Sequence, residues 1–463
     1  MPLTPDPKRV LATPEKRFFI SMIVKDIELI PAILDLVDNS IDGAKRLTSQ
    51  QAKDRFKGLH VHLTLDPERF IIVDNCGGIT AQHARDYAFR FGRPKGVHGA
   101  DGEVGQFGVG MKRALFKLGA AFWIESTSER SSFVLPVDVD EWADDDHSTD
   151  WTFEFEEVDE TTVHPASELG TTIEVTKLRA SVSQDFENDG FLSRLRSALE
   201  LRHQEALQQG IELKLNDVTL RPIIPVLRLS TEFRPIHIER SIGDNGGSVK
   251  MALFAGVETQ EADDPDDDSD AEAFRQQSKA GWYLFCNDRL LLAADQTALT
   301  GWGSAAAAYH PQYRLFRGYV YLTADNSALL PWNTTKTGVD EDSAIFRQVQ
   351  SEMWDALRMV QAVLNRAKKE RQERDPDDRP VLSAMTAATA VRIRDLPISE
   401  TFSVPDDPPP PRPRRTTSNT KRIAYNVDLS DFTKVAAELG TESAPDVGRK
   451  TFSYFYEHEV PEE

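Results

Sequence analysis

Cysteine is nearly missing from this chain of 463 residues: only Cys76 and Cys286 occur, each inside an apolar stretch. That excludes a disulfide framework, argues against a thiolate zinc site and implies no redox chemistry. No apolar run approaches the ~20 residues needed to cross a bilayer, and Met1 to Val10 is proline-rich and charged, without an apolar signal core. The expectation is a soluble, cytoplasmic protein with no membrane partner. Positive charge is short as well, with 54 Lys and Arg against 75 Asp and Glu, a formal net charge of −21. Any nucleic-acid contact must therefore be local rather than spread over the surface. Asp138 to Glu160 and Glu258 to Glu272 contain no Lys or Arg at all. They read as solvated loops or hairpin tips, or as a self-repelling or partner-docking insertion. No His precedes His60, and no Gly-Lys-Ser/Thr ending makes a Walker loop.

What is present divides the chain, whose length fits two or three domains. Within residues 1–184, Ile30, Leu34, Val37, Ile41 and Ala44 repeat on one helix face, and Phe70 to Val73 is a strand run into an Asp-Asn-x-Gly turn. Gly110 to Leu118 reads as a helix launched from glycines, and Thr172 to Val175 alternates as a strand, so the class is α+β, helices over a sheet. Residues 185–340 read as a second α/β domain, with a helix from Phe191 to Gln208 and strands at Val249 to Phe254, Trp282 to Cys286 and Tyr313 to Leu322. Residues 341–375 form an amphipathic helix whose stripe, Phe346, Val349, Met353, Ala356, Val360 and Val363, suits its own domain or an intermolecular coiled coil. Residues 376–420, with prolines at 408 to 411, read as a semi-rigid, disordered linker. Residues 421–463 alternate at Ile423, Tyr425 and Val427 and turn helical from about Ser430 to Leu439. At about 40 residues this module needs to dock or pair, with a protein partner the sequence does not name.

Three stretches carry chemistry. On the helix from Ile30 to Arg46, Asp35, Asn39 and Asp42 fall at i, i+4 and i+7, away from the apolar stripe. Asn39 offers a carbonyl oxygen to Mg²⁺ without adding charge, and Asp35 a carboxylate to orient or deprotonate water; the alternative is a solvated acidic face. Asp74 ends a buried strand, where a carboxylate is costly without a donor such as an adenine amine, and Gly77, Gly78 and Ile79 let the backbone approach the base. A tight turn would also satisfy this run. Gly105, Gln106, Phe107, Gly108, Val109 and Gly110 precede a helix whose N-terminus favours phosphate, with Lys112 and Arg113 one turn in. Gly92 to Gly105 ahead of them is expected to act as a lid.

In order and spacing this set resembles the GHKL ATPases: gyrase B, the ninety-kilodalton heat-shock chaperone, MutL, the histidine kinases and the MORC proteins, which share the Bergerat fold. Gly105 to Lys112 is most similar to the MORC-type subgroup, and Gly170-Thr171-Thr172-Ile173-Glu174-Val175 resembles the adenine-side strand of MutL. The resemblance implies ATP and Mg²⁺ as ligands, Asn39 on the metal, Asp74 on adenine, Thr171 or Thr172 supporting Asp74 through water, and the glycines at 105, 108 and 110 around the phosphates. Pro331 to Thr337 stands where gyrase, MutL and MORC proteins carry a transducer lysine that reaches the γ-phosphate, which makes Lys336 the counterpart and the second block transducer-like. Gly281 to Leu290 resembles their strand and turn. Two departures stand out. Asp35 occupies the position of the usual Glu, so the base is one methylene shorter, and Cys76 replaces the first glycine of Asp-x-Gly-x-Gly.

The function implied is a slow ATPase acting as a conformational clamp that closes as an ATP-dependent homodimer. Resemblance to MutL and MORC extends this to DNA transactions, including bacterial genome defence. Arg412, Arg414, Arg415, Lys421 and Arg422, and a second cluster from Lys368 to Arg374, are basic enough to meet nucleic acid or simply to be solvated. A nucleotide-sensing scaffold with little turnover is the alternative. A protein kinase of the same fold lacks an acceptor His ahead of the nucleotide domain.

Overall fold

The computed structural model describes residues 15–25, 27–48, 54–90, 110–144, 151–244, 247–258, 279–333, 338–373, 378–406, 423 and 425–460. The chain divides into two compact units, residues 1–406 and 407–463.

The first unit begins with α1 (Lys16–Lys25) and α2 (Leu29–Leu47). Strand β1 (His60–Leu65) and β2 (Phe70–Asp74) follow, then a single turn α3 (Ala81–His83) and α4 (Gly110–Leu118). Next come β3 (Gly119–Ser128), β4 (Ser131–Asp138), α5 (Val139–Asp144), β5 (Glu157–Asp159) and β6 (Gly170–Leu178). Helices α6 (Ala180–Phe186), α7 (Asp189–Arg202) and α8 (Gln204–Gln208) lead to β7 (Glu212–Leu215) and β8 (Val218–Thr219). The eight strands form one sheet in the order β5-β4-β3-β6-β2-β1-β7-β8, antiparallel except for the parallel pair β1 and β7. The stripe Ala32, Ile33, Leu36, Val37 and Ala44 of α2 is buried in one core with Val61, Leu63, Phe70 and Ile72 of the sheet. Burial of that stripe leaves Asp35 and Asp38 half-buried and Asn39 exposed, while Asp42 is itself buried.

The boundary expected at residue 184 lies further on. Leu213 and Leu215 alternate inward on β7, and β7 and β8 complete the first sheet, so Phe191, Leu195, Leu199 and Leu220 belong to the first core. The single helix expected from Phe191 to Gln208 is broken at His203, whose φ of −106° and ψ of 18° leave the helical region.

The second sheet follows β9 (Val226–Leu229) and contains β10 (Ile236–Asp244), β11 (Gly247–Val257), β12 (Gly281–Cys286), β13 (Arg289–Asp295) and β14 (Phe316–Thr323), ordered β10-β11-β14-β12-β13. Helix α9 (Ala344–Glu373) lies on it, with Phe346, Val349, Met353, Ala356, Val360 and Val363 buried in the same core as Leu253, Leu284 and Val320. The stripe therefore serves its own domain, not a coiled coil.

Part of the expected linker is folded. Helix α10 (Pro380–Ala387) buries Val381, Ala384 and Met385, and β15 (Thr389–Arg392) pairs antiparallel with β9. The buried Glu370 of α9 accepts from the backbone N–H groups of Val381 (2.9 Å) and Leu382 (3.1 Å), capping the start of α10. Ser399 and Ser403 then bridge to His237 and Arg234. The prolines at 408 to 411 lie outside the described residues.

In the second unit, Asp428 accepts from Ser430 N at 2.8 Å at the start of α11 (Leu429–Leu439), and Gly440 ends it with a φ of +62°. A further helix, α12 (Ala444–Glu459), had no sequence expectation. Among the described residues no helix is long and apolar enough to cross a membrane.

Candidate nucleotide-binding site

Asp74 closes β2, and the sheet register sets Thr171 of β6 directly opposite it. Its Oδ2 accepts from the Ser40 hydroxyl at 2.7 Å and its Oδ1 from the Cys76 N–H at 2.8 Å. Burial raises the Asp74 pKa, with the Ser40, Cys76 and Thr171 donors opposing it. The carboxylate is thus oriented by three donors, with lone pairs left for a ligand amine. Thr171 is buried and its Oγ1 lies 3.0 Å from the Ser126 hydroxyl, while Thr172 alternates to the other face, opposite Val73. Ser126 also accepts from the Ile79 N–H at 2.7 Å.

Backbone closeness demands glycine here. Gly78 has a φ of +67°, and a Cβ on it would fall 2.0 Å from the Thr127 carbonyl oxygen; one on Gly170 would fall 2.0 Å from that of Asp74. Gly77 turns at a φ of +95°. Cys76, in the usual glycine position, points its side chain inward, where burial pushes the thiol pKa well up.

Five residues before Ser40 on α2, Asp35 sits beside the start of α4. A Cβ on Gly110 would lie 3.6 Å from Asp35 Oδ2, and Arg113, in the first turn of α4, pairs with that oxygen at 3.6 Å. Asn39 is exposed on α2 between Asp35 and the Asp74 end. Asp42 is buried, pairs loosely with Lys45 at 3.9 Å, and lines a small recess with Asp38, Phe56, His203, Asp288 and Arg289. Lys112 is buried and donates to the Ala88 carbonyl at 2.8 Å; burial lowers its pKa to about 7. Gly105, Gln106, Phe107, Gly108, Val109, the expected lid and Lys336 lie outside the described residues. The stems around Lys336 are joined, Asn333 N to Gly338 O and Asp340 N to Pro331 O, both at 3.0 Å.

The donor set fits a magnesium-chelated nucleotide. The exposed Asn39 lies on α2 between Asp35, beside the start of α4, and Ser40, which orients the Asp74 carboxylate. Among the described residues no group of three or more His, Cys, Asp or Glu could hold a metal ion.

Sequence reasoning missed Ser40, Asp38, Arg202 and Arg289. Asp38 pairs with Arg289 at 2.9 Å, Arg202 at 3.0 Å and His203 at 3.6 Å. Burial works to raise its pKa, but Arg202, Arg289 and His203 outweigh it and hold Asp38 well below the carboxylate range. The available signal was Ser40 beside Asn39 on the helix that carries the other site residues. Arg289, more than 250 residues from Asp35, offered none.

Residues 27–171 match the family model described as histidine kinase-, DNA gyrase B-, and HSP90-like ATPase. That stretch is a GHKL-type ATP-binding domain at the N-terminal end of a larger chain. No curated protein matches the chain.

Proposed function

We propose that this protein binds Mg-ATP along α2 and hydrolyses it slowly, and that nucleotide state governs how its two sheet domains dock and whether two copies associate. The observation that carries this is the division of labour along one helix: Ser40 orients Asp74, and Asp35, five residues earlier on α2, meets the start of α4. In this reading Asp74 takes the adenine amine, Thr171 braces that end, and the glycines from 105 to 110 and the α4 N-terminus take the phosphates. Asn39 would hold the metal, which supplies charge neutralisation to the triphosphate when bound. Asp35 orients the attacking water, and Lys336 brings counter-charge from the second domain.

A titration of the protein with a fluorescent adenine nucleotide, with and without Mg²⁺, tests the pocket. Asn39→Ala is expected to lose the Mg²⁺-dependent part of the affinity and Asp74→Asn most of the affinity; parent-like binding by both sinks the reading. Mass measurement with a non-hydrolysable analogue tests association, and an unchanged mass removes the clamp.

The second reading, a nucleotide-sensing scaffold with little turnover, is favoured by one observation: Asp35 is already engaged by Arg113 and Arg289. Measured ATPase activity abolished by Asp35→Asn would exclude it. Action on DNA rests on the family likeness alone, and salt-dependent DNA binding lost on deleting residues 405–424 would test it.

A further inference from the structure

The turn between β12 and β13 is built rigidly and aimed at the first domain. Asn287 and Asp288 both take positive φ, 46° and 67°, which forms the tight turn. Asn287 fixes it to the neighbouring strand: its backbone N–H donates to Leu322 O at 2.9 Å, its amide to Ala324 O at 3.0 Å, and it accepts from Ala324 N at 3.0 Å. The first domain then grips the turn from three sides. Lys45 donates to the Asn287 carbonyl at 3.2 Å, Arg55 pairs with Asp288 at 3.2 Å, and Arg202 donates to the Leu290 carbonyl at 3.3 Å. At the tip Arg289, 7% exposed, forks across one turn of α2, with Nη2 3.1 Å from Asp35 Oδ1 and Nη1 2.9 Å from Asp38 Oδ2.

A planar guanidinium with two carboxylates in reach is a directional holder that fixes both in one plane, which the point charge of a lysine does not dictate. Asp38 has a second arginine, Arg202, whereas Asp35 has only the longer contact to Arg113 beside it. Loss of Arg289 therefore leaves Asp38 paired and Asp35 largely released. The hairpin that carries Arg289 belongs to the sheet under α9, so any displacement of that sheet moves the arginine relative to α2.

We infer that Arg289 is a positioning residue: the second domain uses it to hold the Asp35 carboxylate away from a water-orienting pose, and releases it when the β12–β13 turn withdraws. This rests on the reading of Asp35 as the base. The groups facing Asp35 are Asp38 on its own helix, Arg113 from α4 and Arg289 from β13, with Arg202 further off. Burial and Asp38 raise its pKa, opposed by Arg289, Arg202 and Arg113. Removing the Arg289 charge must therefore raise it further.

The test uses the full chain and its Arg289→Gln and Arg202→Gln variants, each measured for fluorescent-nucleotide affinity, steady-state ATPase against pH, and thermal midpoint. Arg289→Gln is expected to keep its nucleotide affinity, to raise turnover at saturating ATP about threefold or more, and to move the acid limb of the rate profile to higher pH. Arg202→Gln, which removes a bonded partner of Asp38 but only a more distant charge from Asp35, is expected to lower the thermal midpoint and to move the limb less than Arg289→Gln does. A folded Arg289→Gln protein that binds nucleotide yet shows unchanged or lower turnover, or an unmoved limb, overturns the inference. If Arg289→Gln does not fold, Arg289→Met, which keeps the apolar stem and removes the charge, decides it: raised turnover supports the latch and parent-like turnover overturns it. Failure of the parent itself to bind the nucleotide is a different result, and strikes at the functional reading.

Discussion

Ser40 shows how much rests on single side chains. Its hydroxyl is one of the donors that keep the half-buried Asp74 carboxylate oriented, and a hydrogen bond to a charged group contributes about 1.5–3 kcal/mol. Ser40→Ala is expected to weaken nucleotide affinity about tenfold, equivalent to about 1.4 kcal/mol, with little change in fold, as read by titration beside circular dichroism. The residue-level site was legible wherever a side chain's neighbours are local in sequence or fixed by a turn. Asp35, Asn39 and Asp74 could be read because a helix period and a strand end dictate where they stand. Arg289 could not, because its partners are supplied by a domain docking that no periodicity records.

Among elements, the break at His203 is the most consequential. The ring is buried and lies 3.6 Å from Asp38, and burial lowers its pKa to about 3 against the pull of that carboxylate. The folded protein therefore keeps His203 neutral while the unfolded chain takes up a proton below about pH 6.5. Stability carried by this group is full above that pH and is lost as pH falls toward 3, by up to about 1.4 kcal/mol per pH unit. His203→Gln is expected to flatten the fall of the thermal midpoint between pH 6.5 and 5; an identical slope in both proteins would refute this. Helix α2, α4 and the strands β2, β11 and β12 follow from apolar periodicity. Helix α10 and β15 did not, because Pro, Asp and Arg surround their few apolar residues, and the cap from Glu370 that starts α10 comes from another helix. The first sheet likewise takes β7 from beyond three helices, a parallel pairing that composition cannot announce.

For the whole molecule, the first unit holds both sheets and both of their cores, and the second holds α11 and α12. A chain ending at Asp406 is therefore expected to keep its nucleotide affinity within about twofold and its cooperative unfolding, since no buried residue of those cores is removed. A tenfold loss in the titration would show that the helices beyond residue 428 contribute to the pocket. The excess of acid, net −21, bears on association too: two copies of one sign repel, and raising salt within the screened range should favour analogue-induced dimers.

Cys76 and Cys286 are both at most 2% exposed, and a thiol buried among apolar side chains reacts slowly with maleimides. The native chain is consequently a ready background for site-specific dye labelling. One cysteine introduced on an exposed position of each sheet domain would carry a fluorophore pair, and energy transfer between them could follow the withdrawal of the β12–β13 turn without first stripping out the natural thiols.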